Sequence, residues 1–222
     1  MKLLSASVGK KILMAITGQV LVLFVIAHTI GNSTIYFNGL NSYAEHLHAL
    51  AALVWANRFV MLAVLSIHIF LGVSLTLENR TAKPQAYAVS KSLRATFASK
   101  NMIWTGLVIG AFLVYHLLHF TFQITNPGTA ASVNMDAAGR PDVTGMVIAG
   151  FQNITVSIIY VISMAALLLH LTHGIQSTFQ SLGLNNDNTL PVFEKAGSFM
   201  AYVLFIAFIL IPLVIVIGFM KG

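Results

Sequence analysis

The chain has 222 residues, of which 57% are hydrophobic and only 8% charged, with a mean hydropathy of +0.84. That balance excludes an ordinary soluble domain and matches a polytopic membrane protein. The formal charge of +6 sits in short segments between apolar stretches, which excludes a nucleic-acid surface. The absence of cysteine excludes iron–sulfur clusters and any cofactor held through a cysteine thiolate or a covalent cysteine link within this chain.

A membrane span needs about 20 predominantly apolar residues, and five stretches qualify: 12–36, 55–77, 102–124, 146–179 and 197–219. They predict an all-α membrane protein with a single transmembrane domain over residues 1–222. The first stretch is too long for a cleavable signal and carries a histidine in its second half. Lys2, Lys10 and Lys11 precede it, and Arg80, Lys83, Lys91, Arg94 and Lys100 lie between the second and third spans. Lys195 lies between the fourth and fifth, whereas the opposite side carries only Arg58, Arg140 and Lys221. The positive-inside rule therefore predicts a cytoplasmic N-terminus and an external C-terminus.

Between the first two spans, Asn38–Ala51 alternates Leu and Ala with polar residues and predicts an amphipathic helix lying in the interface. The segment Asn126–Gly145 is rich in Pro, Gly and Asp and reads as irregular structure. The fourth stretch is uncharged from Val143 to Asn186. It is longer than a bilayer requires, so its last turns are expected to project into the cytoplasm. Pro212 is expected to kink the fifth span.

Four of the eight histidines, His28, His68, His116 and His170, each occupy a different one of the first four spans. Their surroundings repeat. Thr17-Gly18 precedes His28 with nine residues between, and Thr105-Gly106 precedes His116 with the same gap; Gly72 and Gly174 each follow a histidine by four residues. Spans one and two thus resemble spans three and four, and the fifth stands apart. The expected architecture is a four-helix bundle with a peripheral fifth helix.

At about 1.5 Å per residue, His28 and His116 lie about 25 Å beyond the basic residues that start their spans, near the outer side. His68 and His170 lie about 15 Å from the inner side. Ionisable groups inside a bilayer are costly and mark function. Two matched pairs predict bis-histidine ligation of two b haems, His28/His116 outside and His68/His170 inside. His119 and His173 each follow a proposed ligand by three residues and compete with His116 and His170 for the role. Gly18, Gly106, Gly72 and Gly174 are read as making room for the porphyrins, against helix–helix packing as the alternative. For the propionates, Lys10, Lys11 and Lys100 are candidates at the inner haem and Arg58 at the outer; the lysines are equally accounted for as topology determinants. Glu45, His46, His119 and Asn32 are the outer-side polar groups offered to a quinone, and His46 and His48 are otherwise interfacial.

Taken together, Lys10-Lys11, Thr17-Gly18…His28, His68-Ile-Phe-Leu-Gly72, Thr105-Gly106…His116 and His170-Leu-Thr-His-Gly174 carry a resemblance. Over nearly its whole length the chain resembles the single-polypeptide dihaem cytochrome b anchor of succinate dehydrogenases and fumarate reductases. The resemblance implies a multi-pass subunit of a prokaryotic cytoplasmic membrane, holding two haem b. A flavoprotein subunit and an iron–sulfur subunit would dock on its cytoplasmic face, with a possible higher oligomer of the complex. It implies electron transfer from the iron–sulfur subunit to the inner haem, the outer haem and a membrane quinone, typically menaquinone. The dicarboxylate chemistry would lie on the partners. Some dihaem fumarate reductases carry a glutamate two residues before the fourth-span histidine; Leu168 stands there in this chain. Two rivals remain: a dihaem anchor of a hydrogenase or formate dehydrogenase, and a haem-free transporter using its histidines for metal or protons.

Overall fold

A computed structural model describes residues 6–82 and 95–220. Lys2, Lys83, Lys91, Arg94 and Lys221, used above for orientation, lie outside the described residues. The described chain is helical, with no β-structure beyond one isolated bridge between Met135 and Pro141. Its helices are α1 (Ser7–Ser33), α2 (Leu40–Ala49), α3 (Ala51–Thr81), α4 (Phe97–Lys100), α5 (Met102–His116), α6 (Val143–Gln152), α7 (Ile154–Ser181) and α8 (Leu190–Val216). Five helical segments are long and apolar enough to cross a membrane: Ser7–Phe37, Ala51–Thr81, Met102–Thr121, Ile154–Ser181 and Leu190–Val216. They correspond to the five predicted stretches, and the protein has a transmembrane helical architecture.

The fourth stretch departs from expectation. Instead of one unbroken helix, the chain breaks at Asn153, whose ψ of 109° is extended, and α7 alone is still 28 residues long. The Asn153 side-chain oxygen accepts from the backbone N–H groups of Thr155 and Val156, capping α7. Ser157 Oγ donates to the Phe151 carbonyl at 2.6 Å and stitches the two helices across the break. The surplus apolar length thus becomes α6, a separate short helix. At its other end α7 stops at Gly183, whose φ of 71° lets Leu184 N–H reach back to the Phe179 carbonyl.

α1 packs against α3 and α7, α5 packs against α7, and α3 meets α5 only sparsely. The order around the bundle is therefore α1, α3, α5, α7, which puts α1 opposite α5 and α3 opposite α7. α8 lies outside this square, mainly along α7 and also touching α1. Its seat is made by small residues. Ala201 is fully buried, and a Cβ on Gly197 would stand 3.2 Å from Ile175, so the backbones approach closely. Lipid is as apolar as a leucine side chain, so such close packing rather than the hydrophobic effect holds membrane helices together. Pro212 lies within α8, which continues as helix to Val216.

One end of the bundle, hereafter the basic end, carries Lys10, Lys11, Arg80 and Lys100. There Lys10 of α1 pairs with Glu78 of α3 and reaches Ser74 Oγ. At the far end α2, the helix expected over 38–51, closes over the bundle. Its Asn41 is satisfied on all sides: Nδ2 donates to Asp136 and Asp142 at 3.1 Å each, and Oδ1 accepts from the backbone N–H and hydroxyl of Thr144. Tyr43 presses its hydroxyl on Gly31, where a Cβ would come within 2.5 Å of it.

Candidate functional site: two diagonal histidine pairs

The two diagonals of the square are bridged by imidazoles. His28 on α1 faces His116 on α5 with ring centroids 5.9 Å apart, and His68 on α3 faces His170 on α7 at 6.5 Å. All four rings are half-buried. Eleven residues along α1 separate Thr17, which touches His68, from His28, so the two pairs are stacked about 16 Å apart along the bundle. The predicted pairing by depth, first with third span and second with fourth, is the pairing the helices make.

The pair nearer the basic end is built twice over. Thr17 Oγ1 lies 3.1 Å from His68 Nδ1, and Thr105 Oγ1 lies 3.1 Å from His170 Nδ1. The next residue in each case is the glycine of the repeat. A Cβ on Gly18 would meet His68 Cε1 at 3.2 Å, and one on Gly106 would meet His170 Cε1 at 3.6 Å. Both glycines lie at the depth of this pair, as expected, and Gly18 leaves room for the His68 ring of the neighbouring helix. Gly72 faces Met14, and Gly174 has open space beside it.

The far pair is surrounded by aromatics. α5 passes at His116 into a π-turn, Leu117–Thr121, which turns both His116 and His119 toward α7. The Tyr160 hydroxyl stands 3.2 Å from His116 Nδ1 and 3.1 Å from His119 Nδ1. Phe112, Phe120 and Phe151 pack against the Tyr160 ring. His119 is 3% exposed, with its Nε2 against Gly150 of α6. Phe24 stacks on His28, and Phe208 of α8 adjoins it. Asn32 donates to the His28 carbonyl at 2.8 Å and stands 3.3 Å from its Nε2.

The remaining candidates scatter. Lys10 is engaged with Glu78, and Lys11 and Lys100 are exposed at the basic end. Lys100 and Arg80 line a cavity of about 280 Å³ between the ends of α3 and α5. Arg58 is exposed with its guanidinium 4.9 Å from the Trp55 ring; ten residues along α3 from His68, it lies near the depth of His28. Glu45 and His46 are exposed on α2. His46 Nδ1 is 2.7 Å from the Ser42 carbonyl, and Glu45 approaches Arg140 at 4.0 Å. Tyr160, Asn41 and the two threonine hydroxyls are the partners that sequence reading missed. The Thr-Gly repeat was the available signal for the threonines.

The chemistry of these residues suits a haem. Among the described residues no three His, Cys, Asp or Glu side chains converge as a bare metal ion would require; the histidines come in twos, the set suited to an iron whose other ligands come from a macrocycle. Two imidazoles on one metal, each nitrogen about 2.0 Å from it, put their ring centroids about 6 Å apart. The observed 5.9 and 6.5 Å bracket that spacing. Two buried polar atoms beside the pair nearer the basic end also lack a partner: His173 Nδ1, one turn from His170, and Gln19 Oε1, next to Gly18. No protein-family model, curated protein or solved structure matches the chain.

Proposed function

We propose that the chain is the dihaem cytochrome b anchor of a succinate:quinone oxidoreductase or quinol:fumarate reductase. In that role it carries electrons between an iron–sulfur subunit at the basic end and a membrane quinone, typically menaquinone. The observation that carries the reading is the pair of diagonal histidine contacts, stacked along a four-helix bundle at the spacing that one iron between two imidazoles requires. The family assignment rests on the ordered Thr-Gly…His and His…Gly motifs.

In this reading His68 and His170 hold one haem and His28 and His116 the other. Bound there, haem supplies reversible one-electron transfer at a potential tuned by its surroundings. The chain's own residues do the rest. Its four helices fix the ligands on opposite sides of the bundle, and apolar walls keep water from the site. Hydroxyl partners orient the imidazoles. Arg58 and the lysines of the basic end are the cations offered to propionates, and Glu45, His46, His119 and Asn32 the far-end polar groups offered to a quinone. The basic end, read as cytoplasmic, presents Lys11, Arg80 and Lys100 to a flavoprotein and iron–sulfur pair. The setting is a prokaryotic inner membrane.

The test is purification from native membranes with associated subunits, a pyridine haemochrome count, and reduction by succinate. Two b haems per polypeptide, reducible by succinate, support the reading. Two haems reducible only by hydrogen or formate would move the chain to another respiratory complex, and no haem would reject it.

A further inference from the structure

The geometry points to Thr17 and Thr105 as positioning residues that accept a hydrogen bond from Nδ1 of His68 and His170 and so fix the orientation of the two rings, with Gly18 as the seat of the His68 ring. The inference deepens the haem reading and rests on it for its redox consequence, whereas the hydrogen bonds themselves can be read with or without haem.

A threonine hydroxyl has one proton to give and lone pairs to accept with. Thr17 Oγ1 lies 2.9 Å from the Leu13 carbonyl and 3.0 Å from that of Met14, so its proton is directed back into its own helix. Thr105 does the same with the carbonyls of Asn101 and Met102, at 3.1 Å each. Carbonyls cannot donate, so each hydroxyl proton is already committed. What each threonine offers the facing imidazole, 3.1 Å away, is an acceptor. His68 and His170 must then donate from Nδ1, which leaves the Nε2 lone pair of each free for a metal. A ligating histidine that donates its other N–H to a fixed acceptor has its ring orientation and basicity set by that partner.

Gly18 completes the device at His68. A Cβ there would sit 3.2 Å from His68 Cε1, tighter than side chains normally pack, whereas one on Gly106 would meet His170 Cε1 at an ordinary contact distance of 3.6 Å. In the first hairpin the dipeptide therefore acts as one clamp, in which the hydroxyl holds Nδ1 and the bare backbone receives the ring edge. In the second hairpin the threonine hydroxyl alone holds the ring. A neutral hydroxyl is also a weaker acceptor than a carboxylate. It still lends the imidazole some basicity, less than a carboxylate would, so loss of the bond would make the nitrogen ligand slightly less basic and raise the potential of a haem held there.

The experiment uses the protein purified from its membranes with its subunits, labelled with ¹⁵N-histidine and kept reduced, a state in which bis-histidine haem is diamagnetic. The ring-nitrogen spectrum reports the tautomer directly. His68 and His170 are expected to carry the proton on Nδ1. Thr17→Val keeps the shape and removes the acceptor: it should move the His68 Nδ1–H signal, speed its exchange, and raise the midpoint potential of one haem while leaving the other unchanged. Thr17→Ser should restore both, and Thr105→Val and Thr105→Ser should behave likewise at His170. In the haem-bound protein ligation through Nε2 already leaves the proton on Nδ1, so the variants carry the test there, and Nε2 protonation in protein stripped of haem would overturn the proposal. So would valine variants with unchanged signals and potentials. If the protein holds no haem, the haem reading fails, while the tautomers still decide the role of the threonines.

Discussion

The Tyr160 hydroxyl lies between two imidazoles, 3.2 Å from His116 Nδ1 and 3.1 Å from His119 Nδ1. A phenol has one proton, so it can donate to one of these nitrogens and must accept from the other. If His116 binds iron through Nε2, its Nδ1–H donates to Tyr160, and Tyr160 donates onward to His119. The chain of bonds then has a direction, and His119 carries its proton on Nε2, against Gly150. In that arrangement His116 and His119 would have different duties although they share a helix face: one free to ligate, the other anchoring the phenol.

Tyr160→Phe is expected to leave the fold intact but strand both nitrogens. Leaving a buried polar group unpaired costs about 1–3 kcal/mol, so the variant should unfold at lower temperature in detergent. Only the far haem's potential should move. Equal shifts at both haems would mean that the phenol acts on the whole bundle and not on His116.

Gly150 is held to its size by His119, since a Cβ there would lie 3.0 Å from Nε2 and 3.1 Å from Cε1. Gly150→Ala should displace the His119 ring and lower stability by about 1–3 kcal/mol, the usual cost of overpacking. Gly110→Ala is the control, because nothing lies within 4 Å of its added Cβ. Thermal unfolding of the two variants side by side would measure the difference.

Much of this was legible in the sequence, and the parts that were not share a physical reason. Apolar length gave the five spans, and the distance of each histidine from the flanking charges gave its depth. Depth alone suffices to pair His28 with His116 and His68 with His170. Rotation of one helix against another cannot be read from spacing, which is why the contacts of Gly18 and Gly106 with the His68 and His170 rings, and of Gly72 with Met14, were not legible beforehand. The break at Asn153 was hidden because uncharged residues continue through it. An asparagine among Phe151, Gln152 and Ile154 is a weak stop signal until its side chain is seen to cap the next helix. Tyr160, 44 residues from His116, has no local pattern that announces it.

The far-end closure should be acid-sensitive in a defined range. Asp136 accepts from the Arg140 backbone N–H, from the Arg140 side chain and from Asn41, and these contacts pull its pKa from 3.8 down to about 2. A carboxylate whose folded pKa is depressed contributes fully above its unfolded value and loses that contribution as pH falls through the folded one. The link between α2 and the Asp136–Thr144 segment should therefore hold above pH 4 and weaken between about 4 and 2. Hydrogen exchange of α2, corrected for intrinsic rate, should rise in that window. Asp136→Asn should raise it already at neutral pH and remove most of the acid step; a step that persists in this variant would place the titration elsewhere.

Whether the histidines act as two diagonal pairs is decided by the haem content of single-substitution variants, read by difference spectrum and pyridine haemochrome. His28→Ala and His116→Ala are expected to remove the same haem, and His68→Ala and His170→Ala the other, while His119→Ala and His173→Ala leave the count at two. Haem content unchanged by all four ligand substitutions, or losses that pair His28 with His68 and His116 with His170, would contradict the diagonal pairing.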